Sequence, residues 1–250
     1  MPVYWLPQDP VFPDPRKDGV EDLVAVGGDL GSRRLVQAYR QGIFPWYERG
    51  SPILWWSPDP RLILEPERLH VPRRMRRLLR RGEFTLSLDL DFEGVISSCA
   101  SVHLRRAMGT WILPEMITAY CRLHEQGHAH SVEVWREGEL VGGIYGVALK
   151  RAFFGESMFH RETNASKVAL IALMRVLHRN GFHFLDCQQT TRHLLQFGAR
   201  EVSRGRFLDM LDRAQADPRG EPDLRPGYLR PEIGGRPLKG PRSRDVLPRG

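Results

Sequence analysis

The chain of 250 residues carries a net charge of +7, and its hydrophobic fraction of 41% excludes a wholly disordered protein. No apolar run reaches the roughly 20 residues of a membrane span, and the proline-rich N-terminal residues lack the pattern of a secretory signal. Three cysteines without a Cys-x-x-Cys spacing argue against a disulfide framework and a cysteine zinc site, so we expect a reduced, cytoplasmic setting.

Residues 1–62 are rich in proline, glycine and tryptophan, and they contain one predicted helix, at 33–40. The segment 41–61 holds three tryptophans and four prolines in 21 residues. Proline inside a helix removes a backbone donor and clashes with the preceding turn, so this segment is not a regular helix. We expect a small N-terminal domain over 1–62 whose outer layer is made of aromatic-rich loops.

Residues 63–213 show the periodicity of regular secondary structure. The predicted helices cover 71–81, 115–125, 165–179 and 192–197, and the predicted strands cover 130–136, 140–149, 152–159 and 182–187. Glu137 and Gly138 favour a hairpin turn between the first two strands. An antiparallel meander followed by a helix and another strand is typical of an α/β domain with a mixed sheet.

The last segment, 214–250, contains seven prolines, six glycines and no periodicity. A segment of this composition buries too little apolar surface to offset the entropy lost on ordering. We therefore expect a disordered tail.

Six arginines lie between positions 73 and 81. Helical spacing puts four of them on one face, opposite Met75 and Leu79: these are Arg73, Arg77, Arg80 and Arg81. Arginine suits phosphate because its planar fork donates two hydrogen bonds at once. A charged run is more often a solvated helix face, and the positive charge of the whole chain also fits the arginine bias of a GC-rich genome. The density and the single sign of the charge nevertheless favour contact with a phosphate backbone.

Four tryptophans are candidates for stacking on nucleic-acid bases: Trp46, Trp55, Trp56 and Trp111. Stacking of one base on an aromatic ring is worth about 1–3 kcal/mol. The alternative for any one of them is a place in the hydrophobic core. We expect Trp55 and Trp56, in the apolar run ILWW, to be mostly structural.

Two carboxylates lie in apolar surroundings near predicted strands. Asp186 follows the Phe184–Leu185 pair, and Glu156 lies within FFGESMF. A buried carboxylate must be paired or hydrogen-bonded, which is costly unless the site is used. On neighbouring strands the two acids would form a negative pocket for the cationic end of a substrate; the alternative is a structural hydrogen-bonding role.

The sequence HEQGH, from His124 to His128, matches a zinc-protease pattern, which requires both histidines on one helix face. Gly127 lies where the predicted helix ends, and the residues after it alternate like a strand. His128 therefore falls beyond the helix, and we expect no zinc site. The chain also lacks the GxxxxGK[ST] phosphate loop and the GxSxG elbow of serine hydrolases.

Taken together, the sequence resembles the bacterial leucyl/phenylalanyl-tRNA–protein transferases. The runs that carry this resemblance extend from Leu23 to about Phe207: LVAVGGDL, AYRQGIFPWY, PILWWSPDPR, TWI, AHSVEVW, LVGGIYG, FFGESMF, NASK and DCQ. It implies an acetyltransferase-like fold for 63–213 after the small N-terminal domain. It also implies transfer of Leu, Phe or Met from aminoacyl-tRNA to the N-terminal Arg or Lys of acceptor proteins, which marks the product for N-end-rule degradation.

The same resemblance implies roles for individual residues. Trp46 and Trp111 would stack on the terminal adenosine of the donor. The pocket for the donor side chain would be lined by Ile144, Phe153, Leu170 and Leu173, and the tRNA backbone would be held by Arg73, Arg76, Arg77, Arg80 and Arg81. The reaction centre would hold Asp186, Gln188 and Glu156, with Asp186 acting through Gln188 as a base relay or only orienting the amine. Because the donor ester is already activated, no metal or nucleotide cofactor is expected.

Two other functions compete with this interpretation. An acyl-CoA-dependent N-acetyltransferase would share the strand order, but it would need a glycine-rich nest for pyrophosphate before the long helix, and FHRETNASK has no glycine. A non-catalytic RNA-binding protein would explain the arginines but not the acids at positions 156 and 186.

Overall fold

The computed structural model describes residues 4–17, 19–104, 111–229, 232–233 and 236–237. The helices are α1 (Ser32–Arg40), α2 (Arg73–Arg81), α3 (Phe92–Leu104), α4 (Pro114–Glu125), α5 (Ala165–Arg179), α6 (Arg192–Leu195) and α7 (Arg204–Gln215). The strands are β1 (Leu23–Val26), β2 (Phe44–Pro45), β3 (Leu54–Trp56), β4 (Arg61–Leu64), β5 (Thr85–Leu88), β6 (Ala129–Arg136), β7 (Glu139–Leu149), β8 (Ala152–His160), β9 (Phe184–Gln188), β10 (Arg200–Val202), β11 (Gly227–Leu229), β12 (Glu232–Ile233) and β13 (Arg236–Pro237).

The N-terminal part forms a small antiparallel sheet in the order β1-β3-β2. Trp55 is fully buried at its centre, and its indole nitrogen donates a hydrogen bond of 2.8 Å to the carbonyl oxygen of Gly27. Phe12 meets the Trp55 ring edge-on, with 4.9 Å between ring centroids. Trp55 is thus structural, and the segment 41–61 forms short strands and loops, as its prolines predicted.

The small sheet shares its apolar core with the large one. Tyr39 of α1 and Trp55 of β3 belong to the same buried cluster as Tyr120 of α4 and Phe154 of β8. Strand β4 begins at Arg61 and joins the large sheet, so it runs across the domain boundary that we placed at 62. The two parts of the chain are therefore continuous in both backbone and core.

The large sheet has eight strands in the order β10-β4-β9-β8-β7-β6-β5-β11. Its pairs are antiparallel except for β8 and β9, which run parallel and are connected through α5. Most residues of helix α5 are buried. The helix lies so close to the sheet that a side chain at Gly142 would collide with Ala165. The predicted α/β class with a mixed sheet is confirmed, and the predicted β-β-β-α-β-α order is the order of β6 to α6.

The prediction of local structure is confirmed where periodicity and turn residues agree. Helix α5 has the predicted bounds, and the β6–β7 turn places Glu137 and Gly138 at positive φ, 52° and 84°. Helix α3 was not predicted, because Gly94 and three serines interrupt its apolar pattern. In the part of the chain that the structure describes, no helix combines the length and hydropathy needed to cross a membrane.

The disorder predicted for 214–250 is wrong as far as Leu229. Helix α7 continues to Gln215, and β11 pairs with β5 as the outermost strand of the large sheet. Between them, Arg151 donates a hydrogen bond to the carbonyl oxygen of Gly220, and Leu224 is buried. Contacts with the rest of the molecule thus order a segment whose own composition could not. The same prediction for 230–231, 234–235 and 238–250 lies outside the described residues.

Candidate active site

The candidate site lies in a gap between β8 and β9. Their parallel pairing ends at the Phe154–Asp186 pair, although both strands continue beyond it. The register of β8 against β7 also shifts, because Tyr145 is opposite Ser157 whereas Gly146 is opposite Gly155. The extra residue is Glu156. A bulge of this kind redirects a side chain, and it turns Glu156 toward the gap.

Glu156 is nearly buried and is held by hydrogen bonds on both oxygens. The Gln188 side-chain nitrogen donates to Oε1 at 2.8 Å, and the Tyr120 hydroxyl donates to Oε2 at 3.0 Å. Tyr120 is in turn hydrogen-bonded to the Tyr39 hydroxyl. Burial, with a contribution from the charge of Asp186, raises the pKa of Glu156 to about 7, against the lowering effect of hydrogen bonds from Tyr39, Tyr120 and Gln188. Glu156 therefore titrates near neutral pH.

Asp186 has a different environment, because a buried cation lies against it. The Arg61 Nε and Nη2 atoms donate to its two carboxylate oxygens at 2.8 and 2.6 Å, and neither residue is exposed to solvent. The Arg61 guanidinium lies between the rings of Phe44 and Phe207, 4.9 and 4.4 Å from their centroids. A bidentate pair of this kind fixes both groups in one orientation. The charge of Asp186 is thus balanced within the protein.

Gln188 connects the two acids. Its backbone nitrogen donates to Asp186 Oδ1 at 2.9 Å, and its side chain reaches Glu156. Its φ of 62° lies in the left-handed region, which is uncommon for a residue with a side chain and costs of order 1–3 kcal/mol. The hydrogen bond to Asp186 holds this conformation, so Asp186 sets the position of the Gln188 amide.

Two cavities meet at these residues. A cavity of about 470 Å³ has Ile144, Leu170 and other apolar groups on its walls, together with polar residues that include His160 and His193. A smaller cavity of about 150 Å³ is lined by Trp46, Phe44 and Pro45. Both are bordered by a common set of residues: Trp111, Glu156, Cys187, Gln188 and Thr191. The arrangement can hold an apolar group and an aromatic base on either side of one carboxylate and one amide.

The structure brings most of the predicted site residues together, but not all. Trp46 and Trp111 border the smaller cavity, and Ile144 and Leu170 line the larger one. Phe153 and Leu173 are not among the residues that line either cavity, because both are buried in the core behind it. Any effect of these two on the donor pocket would pass through the residues packed in front of them.

The arginines of α2 form an exposed face, as predicted, while Met75 and Leu79 are buried. A chain of ion pairs leads from this face toward the large cavity. Arg81 lies 3.6 Å from Glu83, Glu83 lies 3.9 Å from Arg136, and Arg136 lies 2.7 Å from Glu162, just before α5. These pairs connect α2 with the segment just before α5, the helix whose Leu170 lines the larger cavity.

Sequence reasoning missed three residues that hold the acids: Arg61, Tyr39 and Tyr120. Tyr120 lies within the helix predicted at 115–125 but had no role of its own, and Arg61 was only the last residue of the run PILWWSPDPR. A buried acid predicts some partner. Nothing in the sequence specifies which arginine or tyrosine that partner is, because Arg61 and Asp186 lie 125 positions apart.

The HEQGH segment has the predicted local structure. Helix α4 ends at Glu125, Gly127 has a φ of 74°, and His128 lies beyond the helix. His124 stacks on Phe92 with 4.5 Å between ring centroids, and its Nδ1 is 2.8 Å from the Ala129 carbonyl oxygen. Among the described residues no three His, Cys, Asp or Glu side chains are grouped to hold a metal ion.

Comparison with known proteins gives the family. A family model described as leucyl/phenylalanyl-tRNA protein transferase matches residues 63–212, and the model of the N-terminal domain of that transferase matches residues 28–59. Among solved structures, a GCN5-related N-acetyltransferase from Kribbella flavida has a TM-score of 0.38 and 13% identity, covering 67% of this chain and 60% of that one.

Curated relatives give the same result over most of the chain. A leucyl/phenylalanyl-tRNA–protein transferase from Solidesulfovibrio magneticus is 58% identical over 87% of this chain and 88% of its own length. One from Oleidesulfovibrio alaskensis is 52% identical over 96% of both chains. The chain belongs to the leucyl/phenylalanyl-tRNA–protein transferase family.

Proposed function

We propose that this aminoacyltransferase moves leucine, phenylalanine or methionine from aminoacyl-tRNA to the α-amine of proteins that begin with Arg or Lys. The reaction forms a peptide bond in the cytoplasm, uses no metal or nucleotide cofactor, and marks the product for N-end-rule degradation. The observation that carries this proposal is the meeting of two cavities, one apolar and one aromatic, at Glu156 and Gln188. An aminoacyl-adenosine has one apolar and one aromatic end, joined at the ester where the reaction takes place.

The cavities suit the two ends of the donor. The larger one, with Ile144 and Leu170 on its walls, suits an unbranched or γ-branched apolar side chain. The smaller one, beside Trp46 and Trp111, suits stacking of the adenine. The ester lies between them, near the Gln188 amide. Much of the acceleration then comes from holding amine and ester together, because proximity alone is worth about 7–11 kcal/mol in favourable cases.

The tRNA body would lie along the exposed face of α2. Its predicted contacts are Arg73, Arg76, Arg77, Arg80 and Arg81. The ion-pair chain from Arg81 to Glu162 supports this path, since it connects α2 with the start of α5, and Leu170 of α5 lines the donor cavity. Phosphates on α2 and the amino acid in the cavity can then belong to one molecule.

The cationic acceptor would approach from the side of Trp46. Because Arg61 balances Asp186, Glu156 is the acid that remains to attract a cation within the site. Beside it, a cavity of about 350 Å³ is lined by Trp46, Trp56 and Gln189 together with three carboxylates, those of Asp22, Asp59 and Glu201. Indole faces next to carboxylates favour a guanidinium or an ammonium group, which supports Arg or Lys as the first residue of the acceptor.

The test is transfer of labelled leucine from leucyl-tRNA to a peptide that begins with Arg, read by mass spectrometry. A peptide of the same sequence that begins with Asp is the matched control, and acetyl-CoA is offered in a parallel reaction. We expect a leucine–arginine peptide bond, little product with the control, and no acetylation. Acetylated peptide, or tRNA binding without any transfer, would favour one of the two competing functions.

A further inference from the structure

We propose that Glu156 is the general base that takes the proton of the incoming α-ammonium, that Tyr120 positions it, and that Asp186 only positions Gln188. The inference rests on the proposed function and concerns which of the two acids in the site reacts. The surroundings of the two acids differ, so their roles differ as well.

Access separates the two carboxylates. Asp186 borders the larger cavity, but its side chain exposes none of its surface, and its oxygens accept three hydrogen bonds, two from Arg61 and one from the Gln188 nitrogen. A base in that position would have to give up its buried cation before it could accept a proton. The side chain of Asp186 is therefore already occupied by Arg61 and Gln188.

Glu156 has the access that Asp186 lacks. It lines both cavities at the point where they meet, and the bulge in β8 turns it toward the gap. A carboxylate oxygen can accept about two hydrogen bonds. Each oxygen of Glu156 receives one from the described residues, from Gln188 or Tyr120. Tyr39 contributes a third hydrogen bond, so one acceptor position of the carboxylate remains for the ammonium.

The groups around Glu156 come from five elements. They are Tyr39 of α1, Tyr120 of α4, Tyr145 of β7 and, from β9, Asp186 with Arg61 of β4 behind it. Burial raises the pKa values of the three tyrosines well above their usual range, so all three are neutral. A pKa of about 7 for Glu156 agrees with the assignment, because a general base works best when its pKa lies near the operating pH.

The proton steps balance with this one base. An N–H bond of the ammonium breaks, and the proton passes to a Glu156 oxygen. The freed lone pair attacks the ester carbonyl carbon, a C–N bond forms, and the bond from that carbon to the ribose oxygen breaks. The second proton of the amine passes to the leaving ribose oxygen, and Glu156 returns its proton to water.

Tyr120 sets the pH range in which this base works. Its hydroxyl donates to the charged form of Glu156 and lowers the pKa of that residue, and Tyr39, which is hydrogen-bonded to Tyr120, lowers it as well. Tyr120→Phe removes this bond, so the pKa of Glu156 rises. The carboxyl group then loses its proton, and can act as a base, only at a higher pH. The acidic limb of the turnover profile then moves up by about half to one pH unit.

The experiment measures turnover against pH at saturating leucyl-tRNA and Arg-starting peptide, for wild type, Tyr120→Phe, Tyr39→Phe and Tyr145→Phe. Tyr145 is the matched control, because its buried hydroxyl has no hydrogen-bond partner within the described ranges. We expect the limb to move up for Tyr120→Phe and for Tyr39→Phe, and not for Tyr145→Phe. The α-amine of the peptide also titrates, but it is the same in all four experiments, so its part of the pH profile does not move. If Tyr120→Phe does not fold, Tyr39→Phe provides the comparison with wild type and Tyr145→Phe.

Glu156→Gln completes the test, because it keeps the shape of the side chain but cannot take a proton. Turnover should fall about 100-fold or more, while binding of leucyl-tRNA is retained. A Glu156→Gln protein within 10-fold of wild type, or a Tyr120→Phe protein equally slow at every pH with an unmoved limb, overturns the assignment. Absence of transfer by the wild type at any pH would instead reject the proposed function itself.

Discussion

The variant Asp186→Asn tests the most deeply buried part of the site. It keeps the shape of the side chain and its hydrogen bond from Gln188, but it leaves the Arg61 cation without a counter-charge, at zero exposure. Removing one partner of a buried ion pair costs about 3–5 kcal/mol. For a chain of this size, 1 kcal/mol corresponds to about 2–4 °C, so the melting temperature should fall by about 6–20 °C.

The double variant Asp186→Asn with Arg61→Met separates stability from catalysis. Methionine keeps an unbranched side chain between the rings of Phe44 and Phe207 and removes the charge. Replacing both members of a buried pair is often nearly neutral, so the free energy of unfolding should return to within about 1–2 kcal/mol of wild type. Urea denaturation followed by circular dichroism measures it, and single-turnover leucine transfer measures the chemistry.

Turnover gives the decisive comparison. We expect Asp186→Asn alone to be at least about 100-fold slower, because the unpaired cation disturbs the turn that holds Gln188. The double variant should recover to within about 10-fold. A double variant as stable as wild type but still about 100-fold slow would show that the charge of Asp186 acts on the reaction. An Asp186→Asn protein with unchanged stability would refute the reasoning about the buried pair.

Three further predictions concern the donor and the metal. Arg77→Ala with Arg80→Ala should raise the KM for leucyl-tRNA and flatten the salt dependence of tRNA binding, because two phosphate contacts are lost. Leu170→Ala and Leu173→Ala should each cost about 2–5 kcal/mol of stability. We expect wild type to use isoleucyl-tRNA roughly 10-fold less well than leucyl-tRNA, or worse, and only Leu170→Ala should relax this discrimination. We expect full activity in EDTA and no stoichiometric zinc on metal analysis. His124→Ala should lower only the stability of the protein.

Each of these predictions has a control or an opposing outcome. Arg206→Ala with Arg213→Ala removes the same charge from exposed positions of α7, and it should leave the salt slope unchanged. An unchanged slope for the α2 pair as well would rule out the arginine face. Equal effects of Leu170→Ala and Leu173→Ala on donor ranking would place the donor pocket elsewhere. Activity that is lost in EDTA and restored by zinc would reject the metal-free mechanism and support a zinc site in the HEQGH segment.

Local signals predicted much of the fold. The α5 bounds followed from an apolar run that ends at Arg179-Asn180-Gly181, and the β6–β7 hairpin followed from a turn that contains Gly138, which adopts positive φ readily. The strands of four residues or fewer were missed, among them β1, β4 and β10, since they are too short for a period to be counted. β11 was missed for a different reason, because pairing with β5 orders a segment with no apolar pattern.

The site was predicted in its residue types but not in its geometry. An acid inside FFGESMF or after FHFL signals a functional or paired carboxylate, and both positions are indeed buried. Which acid faces the cavity depends on the bulge at Glu156 and on the antiparallel pairing of β4 with β9, which brings Arg61 to Asp186. These are tertiary features, so the sequence could not separate the two carboxylates. Phe153 and Leu173 were likewise placed at the cavity by resemblance, whereas the packing puts them behind it.

The shared core of the small and large sheets has a consequence for motion. Phe44 packs on the Arg61 guanidinium and Trp46 borders the cavity, yet both belong to the N-terminal part of the chain. Local opening of that part, even briefly, would unstack the buried cation and remove one wall of the smaller cavity at the same time. Amide exchange and protease sensitivity around residues 44–46 would then also report on the candidate site, because the packing of the small sheet and the assembly of that site depend on the same contacts.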